Sequence, residues 1–218
     1  MTTSALRTCM TAGAFLLTTA MAQAAVVVNN APNQDYGTNM SFALVADDFS
    51  LASTYDINTL RFWTLQSSAA DYSGSVYWAI YSDATGPSSV LFSGTANATG
   101  ATTGGSAFGY AEYVYDITVN FQLAAGTYWL ALQNGPLGNT NATEMIWESS
   151  DTGGGTGLYK DFQLQAPQDW LAADFNHAFA ILGDRTQPPN PTPTPGTLAL
   201  LIGGLAGLGA IRRQRQPA

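Results

Sequence analysis

Along residues 25–186 apolar side chains recur with a period of two, in runs of about 5 to 10 residues divided by clusters of Gly, Asn, Asp, Ser and Pro. Val76, Trp78 and Ile80 alternate with Tyr77, Ala79 and Tyr81; Tyr128, Leu130 and Leu132 alternate with Thr127, Trp129 and Ala131. A strand sends successive side chains to opposite faces, whereas a helix needs a period near 3.6, so these runs belong in sheets. The same reading places strands at residues 42–49, 57–65, 89–93, 108–119, 144–148 and 177–182. Turn chemistry separates them, as in Asp71-Tyr-Ser-Gly74, Asn134-Gly135-Pro136 and the glycine-rich run 151–157. No long stretch combines helical spacing with caps. The expected fold class is all-β, an antiparallel β-sandwich of jelly-roll type, in one domain over residues 25–186.

Charge and cysteine usage narrow the chemistry. All fifteen acidic residues fall in this domain, against only Arg61, Lys160 and Arg185, a net charge of about −12. Nucleic acid and anionic membrane surfaces need a basic patch, so neither is an expected partner. The single cysteine, Cys9, precedes the domain, which must be stabilised by packing alone.

Catalytic motifs are sparse. With His177 as the one histidine, His/Cys zinc sites and Cys-His nucleophile pairs are excluded, and no serine sits in a Gly-x-Ser-x-Gly elbow. Glu144 and Glu148 flank Met145-Ile146-Trp147; in one strand they would share a face about 13 Å apart, beyond the range for glycoside hydrolysis. A hydrolase, the remote alternative, would need partners from other strands. The expectation is a chain that is not an enzyme, with no catalytic residue and no cofactor. Calcium is the one ion that oxygen-rich loops could hold, with Asp47, Asp48 and Asp151 as candidates, but the EF-hand spacing is absent.

Aromatic residues give the domain its one hook for binding. Alternation turns Trp78 inward and Trp129 outward, and Trp63 shares its phase with Arg61. Trp63 and Trp129, with Tyr77 and Tyr81, are therefore candidate contacts for a carbohydrate. The competing reading is that these rings fill the core and its second face.

Both ends of the chain read as targeting segments. Arg7, an apolar stretch from Met10 to Met21 and the small-x-small site Ala22-Gln23-Ala24 form an expected signal peptide over residues 1–24, cleaved after Ala24 by the export machinery. At the other end a Pro/Thr-rich linker, 187–196, leads to an apolar run, 197–211, and a basic tail, 212–218. The apolar run includes Thr197, Leu198, Leu200, Leu201, Ile202, Leu205, Leu208 and Ile211; as a transmembrane helix it would be roughly 22 Å long against a hydrocarbon core of about 30 Å. Arg212, Arg213 and Arg215 would stay on the cytoplasmic side.

Pro193-Thr194-Pro195-Gly196, the apolar run and the arginine cluster together resemble the PEP-CTERM sorting signal of Gram-negative bacteria, over residues 193–218. Thr194 stands where that family's motif has Glu. The resemblance implies an exosortase-like membrane enzyme as partner, transient residence in the inner membrane, and a final place at the cell surface or in the extracellular matrix. The expected role there is structural or adhesive; the alternative is a carbohydrate-binding module for exopolysaccharide.

Overall fold

A computed structural model describes residues 24–82, 86–140, 143–153, 155–164 and 169–186. The signal peptide before Ala24, the linker, and the sorting tail with its apolar run lie outside these residues. Among the described residues no helix is long and apolar enough to cross a membrane.

The described chain is all-β and every ladder is antiparallel. Its strands are β1 (Ala25–Asn30), β2 (Gly37–Asn39), β3 (Ala43–Leu51), β4 (Tyr55–Gln66), β5 (Val76–Ser82), β6 (Ser89–Ala96) and β7 (Thr99–Ala107). They continue with β8 (Tyr110–Leu123), β9 (Gly126–Asn134), β10 (Met145–Ser150), β11 (Leu158–Asp161), β12 (Leu171–Ala172), β13 (Asn176–His177) and β14 (Phe179–Arg185). Sheet I holds β1, β14, β4, β8 and β7, with β10, β2 and β13 joining at one end; sheet II runs β12-β11-β3-β9-β5-β6.

Strand β4 organises sheet I because it is long enough to serve three neighbours. Its whole length pairs with β8, its first part with β14, and Thr64–Gln66 with β10. The inward residues of both sheets share one core. Val45, Val76, Ile80, Leu130 and Leu132 come from sheet II, and Ile57, Leu60, Phe62, Ile117, Trp147 and Phe179 from sheet I. Trp78 faces this core as its phase requires, stacked on Phe121 at 5.7 Å.

The expected strands begin or end within a few residues of the observed ones, and two departures have a visible cause. The strand expected from Phe108 begins at Tyr110, because Phe108 and Gly109 form the two-residue turn of the β7–β8 hairpin, with φ of 52° and 84°. Strand β7 itself, Thr-Gly-Ala-Thr-Thr-Gly-Gly-Ser-Ala, carries no apolar alternation; it is an exposed edge that β8 templates through backbone pairing.

Candidate functional site

At one end of the two sheets, the segment 31–36 between β1 and β2 crosses β10 and meets the turn before β13. Serine 149 anchors it: Ser149 O accepts Asn33 N, Ser149 N donates to Tyr36 O at 2.9 Å, and Ser149 Oγ accepts Tyr36 N at 2.8 Å. Ser149 Oγ in turn donates to Asn33 Oδ1, which also accepts Asp35 N. Asn33 Nδ2 donates to Asp151 Oδ1 at 2.8 Å, which ties the segment to the loop after β10. Gln34 has a φ of 60° and Asp174 one of 62°, two strained positions in the segments that border a cleft, which Asp174 itself lines.

That cleft, of about 490 Å³, is lined by Asn33, Asp35, Tyr36, Ser149, Ser150, Asp151, Ala173, Asp174 and Phe175. A second cleft of about 450 Å³, reaching Thr38, Asn39, Tyr159 and Asp161, shares Ala173, Asp174 and Phe175 with it. Tyr36, 60% exposed, lies nearly parallel to Phe175, with ring centroids 6.2 Å apart and planes 23° apart. The first cleft thus offers the exposed Tyr36 ring and the half-buried Phe175 ring beside three carboxylates, while the Ser149 and Ser150 hydroxyls are held in internal hydrogen bonds; among the described residues no lysine or arginine lines it. Such a surface suits a ligand with apolar faces and many hydroxyl donors.

Phe175 is positioned from below. Gly157 N donates to Phe175 O at 2.8 Å and Gly157 O accepts Ala173 N, while the Phe175 ring rests on His177 at 5.2 Å. A Cβ on Gly157 would come within 2.4 Å of the His177 ring and 2.7 Å of Phe175 O. Gly157→Ala is therefore expected to lower stability by about 2 kcal/mol and to displace Phe175; a denaturant midpoint equal to wild type would contradict the close packing described.

The aromatic residues singled out in the sequence do not form one platform. Trp129 does face away from the main core, but it is only 6% exposed, packed with Leu44, Ala46, Ala79 and Ala131. Tyr77, Tyr81, Leu158, Phe162 and Trp170 pack over this second cluster. Trp170 meets Tyr81 edge-on at 6.0 Å, and Lys160 Nζ sits 4.9 Å from its ring. Burial pushes the Tyr81 hydroxyl up to about 12. Trp129 is thus a packing residue. Trp63, half-buried, belongs to sheet I beside Arg61, whose guanidinium grips Asp116 through two bonds of 2.7 Å. Trp63 and Trp129 sit on different sheets and share no surface.

The two glutamates also separate. Glu144 precedes β10, is exposed and accepts the Tyr110 hydroxyl, a bond that raises the pKa of the phenol. Glu148 is fully buried, and the carboxylate it meets is Glu112, 4% exposed on β8. The register explains the meeting: Leu65 of β4 lies between Glu112 on one side and Ile146 on the other. Glu112 and Glu148 have the opposite phase to the inward Tyr115, Ile117 and Trp147, so both stand on the outer face of sheet I. Segment 31–36 roofs them. Gln34 N donates to Glu148 Oε1 at 2.7 Å, Gln34 Nε2 donates to Glu112 Oε1 at 3.0 Å, and Thr103 Oγ1 donates to Glu112 Oε2. The pair is sealed beneath the segment and lines neither cleft.

His177 occupies a buried row that the sequence did not suggest. Its Nε2 lies 2.9 Å from Thr38 Oγ1 and its Nδ1 3.7 Å from Asp47 Oδ2, too long for a hydrogen bond. Trp147 and Phe175 rings flank the imidazole at 4.9 and 5.2 Å, and Asp47 accepts the backbone N–H groups of His177 and Asp48. These contacts make the row part of the packing. Asp47 and Asp151 are thus bound to different neighbours, and among the described residues no group of three or more His, Cys, Asp or Glu is placed to hold a metal ion.

Comparison of the chain with protein-family models and with curated proteins returns no match.

Proposed function

We propose that this chain is an exported, exosortase-sorted protein of the cell surface or extracellular matrix. Its domain, a jelly-roll-like β-sandwich, is a non-catalytic module that adheres to exopolysaccharide at the Tyr36–Phe175 cleft. The destination is supported by the resemblance of residues 193–218 to a sorting signal, and the binding role by one observation: two near-parallel rings, Tyr36 exposed and Phe175 half-buried, edged by Asp35, Asp151 and Asp174. Rings take the apolar faces of a pyranose and carboxylates accept from its vicinal hydroxyls. The sealed Glu112–Glu148 pair supports a binding rather than a hydrolytic reading, since a sugar bond has no route to it.

Affinity electrophoresis of the full chain through gels containing a soluble neutral glucan tests this. Wild type is expected to be retarded, and Tyr36→Ala to weaken retention about tenfold, the loss of roughly 1.4 kcal/mol from one stacked ring. Retention unchanged by Tyr36→Ala, or lost instead with Trp63→Ala, would remove the cleft from the account.

A further inference from the structure

We propose that one proton shared between Glu112 and Glu148 is the latch that holds segment 31–36 against sheet I, and with it Asp35 and Tyr36 in the cleft. The inference deepens the binding reading, on which its biological meaning rests: glycan would be held at mildly acidic pH and released as the surroundings turn alkaline.

The hydrogen-bond inventory carries it. Glu112 has both oxygens occupied, Oε1 by Gln34 Nε2 and Oε2 by Thr103 Oγ1. Glu148 Oε1 accepts Gln34 N, whereas Glu148 Oε2 is buried and has no partner. An ionised carboxylate only accepts, so two of them side by side cannot satisfy one another; a protonated carboxyl donates. With Glu148 protonated, its Oε2–H bonds Glu112, every oxygen is satisfied, and both glutamates grip Gln34. With Glu148 ionised, two negative charges adjoin in a buried site, and the least costly relief is for segment 31–36 to lift and admit water. Burial, and then the charge of Glu112, push the Glu148 carboxyl up to about 7, which places the change at neutral pH.

Among the described residues no neighbouring element supplies a compensating charge. On β8 and β4, Asp116 and Arg61 are committed to each other. Segment 31–36 brings only the exposed Asp35, β7 brings Thr103 and Gly105, and β2 brings Gly37, Thr38 and Asn39. On β13 and β3, His177 and Asp47 adjoin on the inward side, with the His177 ring against Trp147. On β10's own approach, Glu144 is held by Tyr110.

The chain contains three glutamates, Glu112, Glu144 and Glu148, so labelling glutamate side-chain carboxyls with carbon-13 gives three resonances to follow by NMR. In the full chain in detergent, without polysaccharide, one carboxyl is expected to titrate near pH 7. The exchange protection of the Gln34 amide should fall by about tenfold or more between about pH 5.5 and 8.5. Glu148→Gln, whose amide donates to Glu112 at any pH, should keep that protection at pH 8.5. The latch is overturned if no glutamate carbon titrates above about pH 6, if Gln34 is equally protected at both pH values, or if Glu148→Gln loses protection as wild type does. Should that variant fail to fold, the wild-type titration and exchange decide alone. Because no sugar is present, failure here leaves the binding reading standing, and failure of glycan retention leaves this one.

Discussion

Replacing Trp147 by alanine is expected to lower the unfolding free energy by about 5 kcal/mol, a large fraction of what a domain of this size has to lose. Trp147 is fully buried where β10 enters the core, with its ring 6.2 Å from Phe179 and 4.9 Å from His177. Truncation removes that packing and leaves a cavity, a loss of about 3 to 5 kcal/mol for a large aromatic. It also removes the shorter of the two hydrogen bonds that the Ala178 carbonyl accepts, from Trp147 Nε1–H at 2.7 Å, leaving the one from Trp63 N at 3.3 Å, a further cost of about 1 kcal/mol. Trp147→Phe separates the two contributions: it keeps most of the apolar surface, loses the hydrogen bond, and should cost about 2 kcal/mol. Urea unfolding followed by tyrosine and tryptophan fluorescence measures both. A Trp147→Ala variant within about 1 kcal/mol of wild type would mean that β10 is not anchored through this ring.

The second large effect is on the pH dependence of stability. The folded chain holds the Glu148 proton more tightly than the unfolded chain does, about 7 against an ordinary 4.5. The stability this group contributes is therefore fully present below about pH 4.5 and is lost as pH rises through about 7. The expected loss between about pH 5 and 8.5 is of the order of 3 kcal/mol, the reverse of what carboxylates in ion pairs produce. Below about pH 4 protonation of ordinary carboxylates takes over. Maximum stability should fall on the acidic side of neutrality. Denaturant midpoints across this range test the sign directly, and Glu148→Gln should flatten the alkaline limb. A wild-type protein as stable at pH 8.5 as at pH 5 would contradict the buried pair.

Particular residues show why strand phase was legible in the sequence and ring exposure was not. Alternation in 76–81 and 127–132 placed Trp78 toward the core and Trp129 away from it, and both orientations are observed. Periodicity says which side of a strand a residue occupies; it does not say what covers that side. Trp129 is covered by Tyr81, its cross-strand neighbour on β5, and by Leu158, Phe162 and Trp170, which come from segments that the alternation of β9 does not reveal. Strands β2, β7, β11 and β12 were hidden for a related reason, being short or small-residue segments whose pairing is set by the strand beside them.

The cleft was missed because its parts sit in irregular backbone. Tyr36 follows Asn33-Gln34-Asp35 and precedes a glycine, and Phe175 follows an aspartate with positive φ, so neither belongs to a repeating pattern. An aromatic residue stranded in a polar loop, where packing does not ask for it, was the available signal at Tyr36. The carboxylate pair was half legible. Glu148 followed Trp147 in an apolar run, yet its partner Glu112 lies 36 residues earlier and is brought to it through the shared neighbour β4. Spacing within one strand could not reveal that.

The central claim, that the Tyr36–Phe175 cleft takes a sugar chain, is tested most directly by titrating isotope-labelled protein with a soluble neutral gluco-oligosaccharide at about pH 5.5 and mapping the amide shifts. The account predicts saturable changes confined to residues 33–36, 149–151 and 173–175, with the Tyr36 and Phe175 ring signals moving most. Changes centred on Trp63, Tyr77 or Tyr81, or no changes at millimolar oligosaccharides of neutral, acidic and amino-sugar type, would contradict it.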